Sequence, residues 1–216
     1  MIQIERFVCN PFQENCYVVS DGTGEAAIID CGAFYGEERR AVVDYVRSKG
    51  LKPCLLLETH AHIDHNFGND TIYGEFGLKP MLHASDMQLQ ERLKEQAMAF
   101  AGIRIDYDMP SVGRLLADND TVTFGCHTLK VVATPGHTPG SVFYHCEEEH
   151  VAFSGDTLFN MSIGRTDLEQ GSYSDMTKSL GRIVELLPDS TTILPGHGPK
   201  TTMGREKQLN PYLGCV

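Results

Sequence analysis

Long apolar runs, basic clusters, C-x-x-C pairs and low-complexity linkers are all missing from this chain. No apolar stretch approaches the ~18 residues that a membrane-crossing helix needs, so no membrane role is expected. The start, Met1-Ile2-Gln3-Ile4-Glu5-Arg6-Phe7, alternates like a strand and lacks the charged and apolar regions of a secretory signal. Seven irregularly spaced cysteines, an odd count, point to reduced thiols and a soluble, cytoplasmic protein. The formal net charge is -11, and without a basic stripe a nucleic-acid partner is disfavoured. No linker or charge block divides the 216 residues, so one domain over 1–216 is expected.

What the chain does have is histidine and aspartate at strand ends. Thr59-His60-Ala61-His62-Ile63-Asp64-His65 follows the apolar run Cys54-Leu55-Leu56-Leu57, which reads as a buried strand. In extended backbone, residues two apart face the same way, so His60 and His62 can converge on one point. Asp64 and His65, beyond the turn, can serve a second point nearby. Neutral imidazole is the commonest protein metal ligand, each ring held in one tautomer by a partner. Three more glycine-bounded loops follow apolar segments: one with His137 in Thr134-Pro135-Gly136-His137, one at Ser154-Gly155-Asp156-Thr157, and one at Leu194-Pro195-Gly196-His197-Gly198. Four such loops aimed at one place outweigh the alternative of a solvated histidine-rich surface.

Strands are expected over 2–8, 15–20, 26–30, 54–58, 80–83, 121–124, 127–133, 141–146, 150–154 and 191–194. Helical spacing marks 37–49, with Val42, Val43 and Val46 on one face, and 172–187, with Met176, Leu180 and Ile183. Segments 66–76 and 84–101 also read as helices. In the latter, Leu89, Leu93, Ala97 and Phe100 form a stripe that reads as core, or as a cover over the site. Residues 102–119 read as irregular. Asp30 ends a buried strand and needs a partner; Cys31 reads as a small core residue. His83 reads as a core or rim histidine, and His127, His145 and His150 have no ligand-like context. Periodicity alone gives a mixed α/β protein.

The run H-x-H-x-D-H, then a lone His, a lone Asp and a last His, resembles the metallo-β-lactamase superfamily over nearly the whole chain. Gly155-Asp156-Thr157-Leu158-Phe159, Ser162-Ile163-Gly164-Arg165-Thr166-Asp167, Leu194 to Pro199 and the tail from Thr201 to Leu213 are similar to its short glyoxalase II-like (hydroxyacylglutathione hydrolase-like) branch. The resemblance implies a four-layer αββα sandwich of two mixed sheets with outer helices. It implies one metal on His60, His62 and His137, a second on Asp64, His65 and His197, and Asp156 bridging both. It also implies that Asp30 supports a ligand histidine from behind. These donors are nitrogen and oxygen only, which suits two divalent ions, zinc first, with iron or manganese as alternatives.

Metal coordination lowers the pKa of water from ~15.7 to roughly 7. Those ~9 units are worth about 12 kcal/mol, against about 3–5 kcal/mol for a histidine base, so the metals should dominate the rate. The expected reaction is attack of a metal-bridging hydroxide on a thioester, whose thiolate leaves without first being protonated. Asp156 would organise the metals; Asp64 would be a ligand first and a proton shuttle second. The resemblance implies an acyl-glutathione substrate such as S-lactoylglutathione. Arg165 is expected to pair with a substrate carboxylate, or else with Asp167 or Glu169. Long members of the branch carry a helical carboxy-terminal domain with glutathione contacts, whereas only nineteen residues follow His197 here, so the carrier thiol is left open. The rivals are a mononuclear iron persulfide dioxygenase and a lactone or β-lactam hydrolase. A flavodiiron oxidoreductase ranks low because histidine, not a carboxylate, stands at 62, and a binding module would be expected to have lost ligands. The expected partner is a small-molecule thioester; the sequence assigns no oligomeric state.

Overall fold

Short alternating segments joined by Asn-Pro and Asp-Gly turns form an antiparallel meander of β1 (Gln3–Cys9), β2 (Glu14–Ser20) and β3 (Glu25–Ile29). The computed structural model, which describes residues 1–215, sets Phe7 opposite Cys16 and Val18 opposite Ile28. Helix α1 (Gly36–Ser48) then carries the chain to β4 (Lys52–Leu57), parallel to β3. Helix α2 (Asn69–Phe76) leads to β5 (Pro80–His83), and α3 (Met87–Gln90) with α4 (Leu93–Ala101) leads to β6 (Arg114–Leu116). The first sheet runs β1-β2-β3-β4-β5-β6.

The second half opens on three antiparallel pairings among β7 (Thr121–Phe124), β8 (His127–Ala133), β9 (Val142–Cys146) and β10 (Val151–Gly155). A hairpin of β11 (Leu158–Phe159) and β12 (Ser162–Ile163) precedes α5 (Tyr173–Leu186). Strand β13 (Thr192–Pro195) returns parallel to β10, and β14 (Thr201–Thr202) with α6 (Met203–Leu209) follows. The sheet order is β14-β13-β10-β9-β8-β7.

Side-chain period two sorts each strand between two cores. In β2, Tyr17 and Val19 face the opposite sheet and meet Val131, Tyr144 and Phe153, while Cys16 and Val18 face α1 and meet Val42 and Val46. In β10, Phe153 faces inward and Ala152 faces Met176, Leu180 and Ile183 of α5. Burying a side chain of this kind contributes roughly 1.5–3 kcal/mol, and both sheets are covered on both faces. The expected αββα layering is present.

Three expectations need correction. Segment 84–101 is not one helix: Ala84–Asp86 is a 3-10 turn, and the axis breaks again at Arg92 before α4. Asp86 turns inward there, accepting from Ala61 N (2.9 Å), Thr138 Oγ1 (2.8 Å) and Gly140 N (2.6 Å), and so pulls the chain off a helical path. Residues 114–116, read as irregular, form β6 because β5 pairs with them in parallel; Phe100, 48% exposed, takes the covering place left open for its stripe and lines a cavity. Finally, α2 starts at Asn69, later than expected, because Ile63–His65 forms a 3-10 turn.

Asp21 pins the β7–β8 turn. It accepts from Cys126 N (2.8 Å), Thr23 N (2.9 Å) and His127 Nδ1 (3.2 Å), and a Cβ at Gly125 (φ +53°) would run into its carboxylate. The Cys126 amide, followed by Thr23, holds this carboxyl far below the usual range. A depressed folded pKa gives stability that is present above the ordinary value of ~3.9 and is lost as pH falls through the folded value. Asp21→Asn is therefore expected to lower Tm near neutral pH, with the gap to wild type narrowing below about pH 4. Thermal melts across that range check it; a gap independent of pH would contradict the assignment.

Candidate metal centre

Each loop carrying a candidate ligand begins where a buried strand stops. The first follows β4, and Thr59 O accepts from Val142 N (2.9 Å), tying this loop to the second sheet. Main-chain groups of the loop are held by buried side chains. Gln96 of α4 accepts from Ile63 N (3.1 Å) and donates to Ala61 O (3.0 Å), Asn66 donates to His62 O (2.8 Å), and Asn10 donates to Asp64 O (2.7 Å). The backbone therefore aims the rings before any ligand arrives.

All seven side chains singled out in the sequence come together. His62 Nδ1 and His137 Nε2 lie 2.8 Å apart, and the His60 ring centroid is 4.9 Å from that of His62 and 4.8 Å from that of His137. Asp156 stands between this group and the next. Its Oδ2 is 3.5 Å from His137 Nε2 and 3.5 Å from His197 Nε2, and its Oδ1 is 3.4 Å from His65 Nε2. Asp64 Oδ2 is 3.3 Å from His197 Nε2 and 3.7 Å from His65 Nε2.

Hydrogen bonds fix which nitrogen faces inward. His137 Nδ1 donates to Arg165 O (2.7 Å) and His197 Nδ1 to Phe12 O (3.0 Å), since a carbonyl can only accept. Thr59 Oγ1 donates to Asp30 Oδ2 (2.7 Å), so it accepts from His60 Nδ1 (3.1 Å). Asp30 Oδ2 also takes His65 Nδ1 (3.1 Å), and its Oδ1 takes Thr59 N (2.7 Å). Asp30 thus sits behind His65 and, through Thr59, behind His60. Four rings turn Nε2 inward and His62 turns Nδ1.

These atoms fit a pair of cations. His60 Nε2, His65 Nε2 and Asp156 Oδ1 are buried without a hydrogen-bond partner, and a buried polar atom left so is costly. A Cβ at Gly196 would collide with Asp156 Oδ1 and the His65 ring, so only glycine leaves the cradle open. Burial, reinforced by neighbouring imidazoles, pushes His60 well below its ordinary pKa and His62 down to about 3, keeping both neutral. Burial acts the same way on His65 and His197, but the carboxylates around them win. Asp156, Asp64 and Asp30 raise His65, and Asp156 with Asp64 raises His197 to about 10. Asp156, despite burial, is held well below the usual range by His65 and His197. Without metal, the carboxylates of Asp156, Asp64 and Asp30 favour protons on His65 and His197.

The ligand order, the donor groups linked through His60, His65 and Asp156, and the paired sheets agree with one family model, which matches residues 9–197. The chain belongs to the metallo-beta-lactamase superfamily. It is similar to the hydroxyacylglutathione hydrolase GloC of Haemophilus influenzae, at 34% identity over 98% of both chains. Among solved structures it is similar to the BLEG-1 B3 metallo-beta-lactamase, with a TM-score of 0.89 at 34% identity, covering 98% of this chain and 99% of that one. It is also similar to TTHA1623 in a di-iron-bound form, with a TM-score of 0.85 at 35% identity, covering 97% and 100%. Members of this superfamily bind divalent metals, and this chain carries a His/Asp cluster able to do so.

Arg165 lines the metal-site cavity of about 320 Å³, but its guanidinium is doubly bonded to Asp167 (2.8 Å and 2.8 Å) and exposed. Its carbonyl, not its charge, touches a candidate ligand. His83 accepts from Ser85 N (3.3 Å) outside the clusters, and His127 bonds Asp21 and Glu149. Cys31 is buried in the core between the first sheet and its helices.

Several residues escaped the sequence reading. Asp86 and Gln96 lie off the apolar stripe of 84–101, yet both are buried braces of the ligand loop. Glu14 is wholly buried, close enough to Asp30 and His65 to join their cluster, and neither of its oxygens is hydrogen-bonded. Burial raises its carboxyl well above the usual range. Its one visible signal was a charge opening the otherwise buried run Asn15-Cys16-Tyr17-Val18-Val19.

Proposed function

We propose that this protein is a dinuclear metal-dependent hydrolase that cleaves a hydroxyacyl-type thioester in the cytoplasm. The observation that carries the reading is the complete donor set, with His60, His62 and His137 on one side, Asp64, His65 and His197 on the other, and Asp156 between. Two divalent ions bound there, zinc first and iron or manganese as alternatives, would supply an activated water at neutral pH and polarise the scissile carbonyl. Asp156 holds the two groups in register through both of its oxygens. Asp64, the more exposed carboxylate, lines the cavity and can hold a proton at Oδ2 as the leaving group departs. Phe12, Ile63 and Phe100 exclude water from one side of a cavity sized for a small acyl group. The likeness to a hydroxyacylglutathione hydrolase supports the thioester.

Metal analysis of the purified protein beside thioester hydrolysis with several carrier thiols tests this. About two ions per chain with thiol release is the expected result. About one iron per chain, with oxygen uptake on a persulfide, would replace the reading with a dioxygenase. The likeness to a B3 metallo-beta-lactamase favours a second reading, β-lactam or lactone opening in the same cavity, which ring-opening assays would reveal.

Arg165 is proposed as a cation for a substrate carboxylate, with Asp167 its resting partner. Arg165→Ala should raise KM more than it lowers kcat, by roughly threefold to tenfold, because the lost contact exists equally in ground and transition states. Unchanged kinetics would leave Arg165 with its main-chain role alone.

A further inference from the structure

A second cavity of about 100 Å³ adjoins the metal-site cavity and shares His62, Phe100 and Leu168 with it. Arg92, at the junction of α3 and α4, and Glu169 both line it. Arg92 NH1 meets Glu169 Oε1 at 2.7 Å, and Arg92 Nε meets Glu95 Oε2 at 2.8 Å. The Glu169 side chain is 60% exposed and that of Arg92 45%, so the pair closing this cavity is wet. Such pairs contribute little and exchange readily.

Glu169 belongs to a short segment between Gly164 and Gly171, in which Gln170 takes a left-handed φ of +67°. The same segment carries Asp167, partner of Arg165. Both arginines that border these cavities are thus held by carboxylates of one loop, which stand where an external carboxylate would. A planar guanidinium trades one carboxylate for another without change of geometry.

A thioester has two arms. With its carbonyl beside the seven candidate ligands, the acyl arm has the larger cavity, and the thiol arm must leave by another route. The adjoining cavity offers one: an apolar wall of Phe100 and Leu168, then a cation. Building on the thioesterase reading, we propose that the carrier-thiol arm lies beneath α4 past Phe100, and that Arg92 selects arms bearing a carboxylate by taking them in place of Glu169.

The experiment compares thioesters of one acyl group on glutathione, which bears carboxylates, and on N-acetylcysteamine, which bears none. Arg92→Ala is expected to raise the ratio of their KM values, glutathione over N-acetylcysteamine, about tenfold, the loss of one charge-assisted contact. Glu169→Gln, which leaves Arg92 in place and held by Glu95 alone, should lower that ratio about threefold. A purely structural clasp between α4 and the loop predicts no change of ratio in either variant, and that result overturns the proposal. Calorimetric binding of S-methylglutathione to the metal-loaded protein gives a second readout independent of turnover. Weakening by Arg92→Ala and tightening by Glu169→Gln are expected, and equal affinity in all three proteins overturns the arm site. Selective binding without hydrolysis of either thioester would instead overturn the thioesterase reading and leave the arm site standing.

Discussion

Asp156→Ala is expected to cost at least about a thousandfold in hydrolysis and to strip the protein of metal, while the fold survives. Among the described residues this carboxylate is the one paired with His137, His65 and His197 together, so its loss uncouples the two donor clusters. Lowering the pKa of water from ~15.7 to roughly 7 corresponds to about 12 kcal/mol. Forfeiting even a third of that, about 4 kcal/mol, is roughly a thousandfold in rate. The fold should hold because Asp156 supports no core packing: its neighbours are the imidazoles themselves and the glycines that make room for them. Metal content, turnover and the Tm of chelated wild type and chelated variant make up the test. Two ions per chain with full turnover in the variant would end the bridging assignment, and a collapsed far-ultraviolet spectrum would show that Asp156 is structural.

Why the site was so legible is a matter of local chemistry. An apolar run such as Cys54-Leu55-Leu56-Leu57 points to a strand; only its last two residues are fully buried, Cys54 being exposed and Leu55 half-buried, and the histidines that follow stand at its buried end. The same argument located His137, Asp156 and His197, because β10 is buried throughout and β8 and β13 are buried along most of their length. What the sequence concealed depends on distant partners. Asp86 looks like an ordinary helix residue until Ala61, Thr138 and Gly140, 25 to 54 positions away, supply its hydrogen bonds. Phe100 kept the helical phase of Leu93 and Ala97 but ran past the end of the core. The hairpin of β11 and β12 has two residues per strand, too few for an alternation to register, and α6 rests on the Thr202 cap and the burial of Met203 and Glu206. Period reports burial only where the element is longer than its period.

Removing metal should leave a folded but pH-sensitive protein. Chelation does not strand bare carboxylates, because the protons on His65 and His197 stand in for the lost charge. For a histidine whose folded pKa is raised, the stability gained is fully present below the unfolded value of ~6.5 and is lost as pH rises through the folded value, here about 10 for His197. The metal-free protein should therefore lose stability steadily between about pH 6.5 and about pH 10. Its loaded form should not, since bound ligands are already deprotonated and held by cations. A cation at a thousand times its Kd adds about 4 kcal/mol, so two sites add about 8 kcal/mol. At about 2–4 °C per kcal/mol for a chain of this size, chelation should lower Tm by roughly 15–30 °C near neutral pH. Scanning calorimetry of chelated and reloaded protein across this range reads both effects. If the chelated melt were flat up to pH 10, the imidazoles would be neutral without metal, and Asp64 and Asp156 would have to be balanced by something other than protons on His65 and His197.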